Sequence, residues 1–351
     1  MQQVFDGHND VLLKLWQRQR SGFEPISEFI QEASGGHIDL PRAAEGGLAG
    51  GICAMFIPSG DLRVDRPGRD GSYRTPLAEP VPRGPSLDIA IEMASIAFRL
   101  ERAGAWKLCR NTVEIRDAMA TGTFAAVLHM EGCEAIGPDL DALDLFHEAG
   151  LRSLGPVWSR PNIFGHGVPF AFPMSPDTGP GLTEAGKNLV RACNRLGILI
   201  DLSHITERGF WDVASISEQP LVASHSNPHA LVPVARNLTD RQLDAIRESQ
   251  GLVGLNFAVT MLRSDGGDNP NTPLPVLVRH IDYLVERLGI DSVAIGSDYD
   301  GATIPAEIGD AAGLQNLVKA LQDAGYGEAE LAKICRENWL RVLGAAWKEE
   351  E

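Results

Sequence analysis

The fold this sequence predicts is α/β, a (β/α)8 TIM-type barrel with its active site at the C-terminal ends of the strands, and three observations predict it. Eight short apolar runs recur, at 3–10, 50–59, 123–132, 151–159, 197–204, 220–227, 251–257 and 292–301. Segments with apolar residues at helical spacing lie between them, and strands alternating with helices imply a parallel sheet. Most of the runs are continuous, as strands covered on both faces require. A chain of 351 residues suits one barrel domain, 1–351, as well as two ordinary domains. No linker or internal repeat divides it, although periodicity alone does not prove that the sheet closes.

The elements follow in chain order. QVFDGHND ends in His8 and Asp10, two positions apart and so on one face of a strand. GGICAMFIPS runs into residues 57–88, rich in Pro, Gly, Arg and Asp, which read as a long loop inserted over one barrel mouth. TFAAVLHMEG brings Glu131 to its end with His129 on the same face, and LRSLGPVWS leads into a second loop, 161–181. LTEAGKNLVRACNRLG is a helix with Thr183 as N-cap and Gly197 as its stop. GILIDLSH ends at His204, and PLVASHSN carries His225. LTDRQLDAIRESQG sets Thr239 three residues before Gln242, a capping box, and stops at Gly251, where the seventh run, GLVGLNF, begins. PVLVRHIDYLVERLG keeps the helical period, SVAIGSDYDG brings Asp298 and Asp300, and ELAKICRENWLRVLGAAW closes the pattern as a helix.

Composition narrows the partners. A net charge of −16, with no cluster of Lys and Arg, excludes a nucleic-acid surface. The first ten residues have neither the cationic head nor the apolar stretch of a signal peptide, and no apolar run is long enough to span a bilayer. Five cysteines, at 53, 109, 133, 193 and 335, show no paired spacing. That pattern reads as reduced thiols in a cytoplasmic protein with no membrane partner.

In a parallel barrel every strand ends at one mouth. His8, Asp10, His129, Glu131, His204, His225, Asp298 and Asp300 would therefore meet in one cup. Each has a plain alternative taken singly: His204 as a helix cap, His225 in a turn before Pro228, Glu131 paired with an arginine, Asp298 and Asp300 capping the last helix. Together they are too many ionisable groups to bury without compensation, and divalent cations supply it. Mixed imidazole and carboxylate donors suit zinc.

The ordered set FDGHND, EG at 131–132, DLSH at 201–204, SHS at 224–226, ARN at 235–237 and GSDYDG at 296–301 resembles the membrane (renal) dipeptidase family of zinc peptidases, within the wider amidohydrolase group. The set spans nearly the whole chain. The resemblance implies two zinc ions, with His8 and Asp10 on one, His204 and His225 on the other, and Glu131 bridging both. It further implies Asp298 as the proton carrier, Arg236 as the clamp on the substrate carboxylate, and a homodimer. One departure stands out: where the family has a substrate-contacting histidine after the fourth strand, this chain reads Val157-Trp158-Ser159-Arg160. Trp158 offers an N–H but no charge, and Arg160 and His166 are the substitutes expected to face the substrate. His129 reads as a partner to a ligand rather than a ligand.

The resulting expectation is a zinc dipeptidase acting on small dipeptides, with a C-terminal D-residue tolerated, through a hydroxide shared by two ions. Two alternatives stay open on sequence: hydrolysis of another small amide such as an N-acyl amino acid or a lactam, and a catalytically silent metal-binding barrel.

Overall fold

The computed structural model describes residues 1–31, 35–60 and 71–348. Its strands are β1 (Val4–Asn9), β2 (Leu48–Phe56), β3 (Tyr73–Arg74), β4 (Trp106–Leu108), β5 (Phe124–Glu131), β6 (Leu151–Gly155), β7 (Ala171–Phe172), β8 (Leu199–Ile200), β9 (Val222–Ala223), β10 (Leu252–Leu255) and β11 (Val293–Ile295). Each of the eight expected runs overlaps one, and β2 begins two residues before its run. Five pair in parallel in the order β1-β2-β5-β6-β8, and three more as β9-β10-β11. Single parallel bridges join the two arcs, Asp201 to Val222 on one side and Asn9 to Tyr299 on the other. The sheet is therefore a closed parallel barrel with a helix-bearing connection between successive strands.

Register decides which side chains fill it. Ile52 lies opposite Val127, and Leu252 opposite Val222, so each pair shares a face. With Phe5, Leu199 and Ala294 they belong to one buried cluster, to which the C-terminal helix adds Trp339, Leu340 and Leu343. Trp339 stands where a β-carbon on Gly7 would be, 2.1 Å from its ring, so β1 needs glycine at that position. The alternate strand residues, among them Val4, Met55, Leu128, Val253 and Ile295, pack outward under the helices. Burial on both faces is why these strands read as unbroken apolar runs.

The helix Glu184–Leu196 starts at Thr183, whose Oγ1 accepts the Gly186 N–H at 3.1 Å, and ends at Gly197 with φ 68°. The helix Asp240–Glu248 starts where Gln242 Oε1 accepts the Thr239 N–H at 2.8 Å. The closing segment is not one continuous α-helix: a π turn at Lys333–Glu337 separates Glu328–Ala332 from Asn338–Trp347. The wider turn shifts the helix phase. Asn338 can then donate to the carbonyls of Ile290 and Val293, and Trp339 Nε1 to that of Ile295 at 2.9 Å.

Of the loop expected at 57–88, residues 61–70 lie outside the described residues. The next helix begins at Arg83, inside that stretch, with Pro85 in its first turn, where the missing N–H costs nothing. Both inserted loops carry one strand of an antiparallel pair, β3 with β7. Neither this pair nor β4, which runs parallel beside the start of β5, has a counterpart in the apolar pattern. No helix among the described residues is long and apolar enough to cross a membrane.

Candidate metal centre and active site

The C-terminal ends of the strands gather the polar residues. β1 delivers His8 and, one residue beyond its end, Asp10; β5 delivers Glu131 at its last position. His204 and His225 follow β8 and β9, and Asp298 follows β11. His204 and Asp298 hold left-handed backbone, at φ 68° and 61°, which costs a non-glycine residue energy and is often found at functional sites. Fixed partners retain it: His204 O accepts the Val168 N–H at 2.8 Å, and the Asp298 N–H donates to His8 O at 3.0 Å.

The donor atoms converge on two places. Glu131 Oε1 lies 3.0 Å from His204 Nε2 and 3.6 Å from His225 Nε2, and those two nitrogens are 3.0 Å apart. Glu131 Oε2 faces the other way, 3.7 Å from His8 Nε2, which is also 3.7 Å from Asp10 Oδ2. A tetrahedral ion with bonds of about 2.1 Å needs ligand atoms about 3.4 Å apart, so both sets have the spacing of metal ligands. Each also forms a buried group able to hold an ion. Both ring nitrogens of His8 and one Asp10 oxygen are buried without a hydrogen-bond partner among the described residues, the condition a bound cation would relieve. A third grouping, His8, Asp201 and His225, shares the same histidines, but Asp201 is already engaged by three donors.

Burial and the mutual charges of these groups set their protonation. Burial pushes Glu131 well above the usual carboxylate range, with Asp10 and Asp298 adding to the rise against the pull of His8. Burial opposes the charge on His8, but Glu131, Asp10 and Asp298 outweigh it and raise the imidazole to about 10. Burial, with help from Arg236 and neighbouring imidazoles, holds His204 and His225 well below the ordinary histidine value. Both rings are thus neutral at pH 7, as metal ligands must be.

Above this floor lies a cavity of about 330 Å³. Asp10, Glu131, His204, Arg236, Asp268 and Asp298 are among its polar lining, and Phe56, Tyr73, Trp158, Phe170 and Met261 among its apolar lining. Asp298 is tethered through Oδ2 to Asn256 Nδ2 at 2.8 Å, and burial raises its carboxyl. Arg236 is buried and held by Ser226 Oγ at 3.2 Å and His225 O at 3.1 Å. Its Nε has no hydrogen-bond partner among the described residues, and Asp298, Glu131 and Asp201 lie near enough to act on its charge.

The structure thus brings together His8, Asp10, Glu131, His204, His225, Asp298, Arg236 and Trp158. It does not bring Arg160 or His166 to the cavity wall. Arg160 is fully buried, paired at 2.7 Å with Glu134 and bonded to Ser59, behind Phe56 and Trp158. His166 turns its Nδ1 toward Gly181 O at 3.4 Å. A buried guanidinium goes where a carboxylate waits, and Glu134 waits in the loop after β5. His129 joins none of the metal groupings; its Nδ1 meets Ser153 Oγ at 2.9 Å.

Sequence reasoning passed over Asp201, Ser159, Ser224 and Asn256. Ser159 Oγ lies 2.8 Å from His204 Nδ1, and Ser224 Oγ 2.7 Å from His225 Nδ1. The signal was present in DLSH and SHS, where a carboxylate and a hydroxyl stand beside the histidines.

The sequence profile of the membrane dipeptidase family, peptidase family M19, matches residues 1–351. The crystal structure of a Rhodobacter sphaeroides metallo peptidase, liganded with a phosphinate mimic of the dipeptide L-Ala-D-Ala, superposes with a TM-score of 0.94 at 49% identity, covering 98% of this chain and 99% of that one. Dipeptidase AC, a metallo peptidase of family M19, gives 0.94 at 50% identity, covering 99% of each chain. An uncharacterized Acinetobacter calcoaceticus protein in the PQQ-III 3' region is 44% identical over 286 residues, 81% of this chain and 90% of that one.

Proposed function

The chain belongs to the membrane dipeptidase family, peptidase family M19, and is a metallo-dipeptidase; from that premise we propose that it uses two zinc ions to hydrolyse small dipeptides with a D-residue at the C-terminal position. The observation that carries this reading is Glu131, whose two oxygens face two separate ligand pairs at the floor of one cavity. His8 and Asp10 would hold one ion, His204 and His225 the other, with Glu131 common to both. Bound there, the metal would polarise the scissile carbonyl and lower the pKa of water toward neutrality.

The remaining work falls to this chain's own groups. Arg236 binds the substrate's terminal carboxylate through a guanidinium whose Nε has no partner among the described residues and whose planar fork suits a carboxylate's two oxygens. Asp298, with Oδ2 tied to Asn256, keeps Oδ1 for proton transfer: it takes a proton from the attacking water and gives it to the leaving amine. Trp158, Phe56 and Phe170 exclude water and receive the substrate's side chain. The phosphinate L-Ala-D-Ala mimic bound by the 49% identical relative supports the choice of stereochemistry. Cytoplasmic residence is supported by five cysteines that are all buried free thiols. The homodimer implied by the resemblance is checked by sedimentation of the purified chain.

The decisive experiment sets L-Ala-D-Ala beside L-Ala-L-Ala and N-acetyl-D-Ala, with metal analysis of the same preparation. The expected result is about two zinc per chain, fastest turnover of L-Ala-D-Ala, and loss of turnover on chelation. Arg236→Met should raise KM for dipeptides by about 100-fold, the scale of a buried charge pair losing one partner. Preference for the N-acyl compound would redirect the assignment to amide hydrolysis outside peptides.

A further inference from the structure

Ser224 sits between a carboxylate and an imidazole, and the order of its hydrogen bonds fixes which ring nitrogen carries a proton. Asp201 is 1% exposed. Its Oδ1 accepts the N–H groups of Ser224 at 2.7 Å and Ser203 at 3.0 Å, and its Oδ2 accepts the Ser224 hydroxyl at 2.5 Å. An ionised carboxylate only accepts, so the Ser224 proton is committed to Asp201. The 2.7 Å contact between Ser224 Oγ and His225 Nδ1 then has one polarity: the ring N–H donates and the hydroxyl oxygen accepts. His225 Nε2 is left with its lone pair, 3.0 Å from His204 Nε2 and 3.6 Å from Glu131 Oε1. That lone pair is free to accept a proton from His204 Nε2 or to face a cation shared with it.

From this geometry we propose that Asp201 and Ser224 are positioning residues for the metal. Through the Ser224 hydroxyl, Asp201 holds His225 in the Nδ1–H tautomer and aims its Nε2 at the ion. The inference rests on the metal reading of the site given above. His204 differs: its Nδ1 meets Ser159 Oγ at 2.8 Å, and no carboxylate hydrogen-bonds to that hydroxyl among the described residues. The carboxylate-driven setting thus belongs to His225.

Asp201→Asn is the discriminating substitution because it keeps the shape and reverses the relay. Its amide NH₂ donates to Ser224 Oγ, the hydroxyl turns to donate to His225 Nδ1, and the ring proton moves to Nε2, where it blocks coordination. The test uses the full chain with zinc as the probe. Affinity is read by competition with a chromophoric chelator, and the tautomer by long-range ¹H–¹⁵N correlation on metal-stripped, ¹⁵N-histidine-labelled protein. Asp201→Asn should weaken zinc retention about 10- to 100-fold, the cost of losing a partner behind a ligand, and shift the His225 proton from Nδ1 to Nε2. Ser224→Ala should also weaken retention, and Ser224→Thr, which keeps the hydroxyl, should restore most of it.

A merely structural Asp201 would lower the melting temperature without moving the ring proton. Wild-type zinc affinity in folded Asp201→Asn, or an Nε2–H in the wild-type chain, overturns the proposal. Should Asp201→Asn fail to fold, the wild-type tautomer and the Ser224 pair decide. A wild-type chain that takes up no zinc would sink the metal reading itself, and the wild-type measurement tells the two failures apart.

Discussion

The barrel is closed at two seams, between β8 and β9 and between β11 and β1, and the two use the same device to carry different chemistry. Each has a single backbone bridge in place of a ladder, Asp201 with Val222 and Asn9 with Tyr299. Each is reinforced by a buried carboxylate that accepts both the N–H and the hydroxyl of a serine on the neighbouring strand end. Asp201 takes Ser224 at 2.7 and 2.5 Å, and Asp6 takes Ser297 at 2.7 and 2.8 Å. At the first seam the serine meets the imidazole of His225, the ring proposed to hold a metal ion. At the second, the Ser297 hydroxyl also reaches the His8 carbonyl at 3.2 Å, and the next residue is Asp298. One bracket therefore touches the ring of His225, and the other fixes backbone beside Asp298. Side-chain brackets thus supplement a single backbone bridge at each seam.

That contrast can be broken or sharpened by substitution, beginning with the largest expected effect. Asp298→Asn, at the second seam, should lower kcat by about 10²- to 10⁴-fold while leaving bound metal unchanged, measured by steady-state kinetics with metal analysis. Loss of metal together with activity would move Asp298 from proton handling to ligation. Asp201→Asn should lose zinc retention on the scale given above, with a smaller loss of stability. Gly7→Ala forces a β-carbon into the Trp339 ring and to 2.9 Å from Ser224 O, next to the first bracket. It should cost about 1–3 kcal/mol in denaturant unfolding, the range for overpacking a dense core. Asp6→Asn should cost about 1 kcal/mol, the worth of one hydrogen bond, and leave zinc affinity close to wild type. Equal losses of zinc from Asp6→Asn and Asp201→Asn would mean that the two brackets do the same job.

Much of this was legible in the sequence, for identifiable reasons. Strand ends could be located because both faces of these strands are buried, and that fixed where His8, Glu131 and Asp298 had to gather. What sequence could not give was the direction of side chains leaving irregular backbone. Arg160 was expected in the cavity, yet Glu134 draws it into the protein; the pairing depends on how two loops meet, and no periodicity records that. The left-handed backbone of His204 and Asp298 is equally invisible, since neither residue type announces it. The π turn at Lys333–Glu337 escapes because a one-residue phase shift barely alters an apolar pattern, although it is what lets Asn338 and Trp339 reach β11.

Trp339 comes late in the chain, and the ring it contributes rests against Gly7 in the first strand. In chain order the strands come first, and the ring that fills the space beside Gly7 comes only with the final helix. A chain truncated near residue 330 would lack its plug, so the last helix acts as the keystone of an arch whose other stones are already laid.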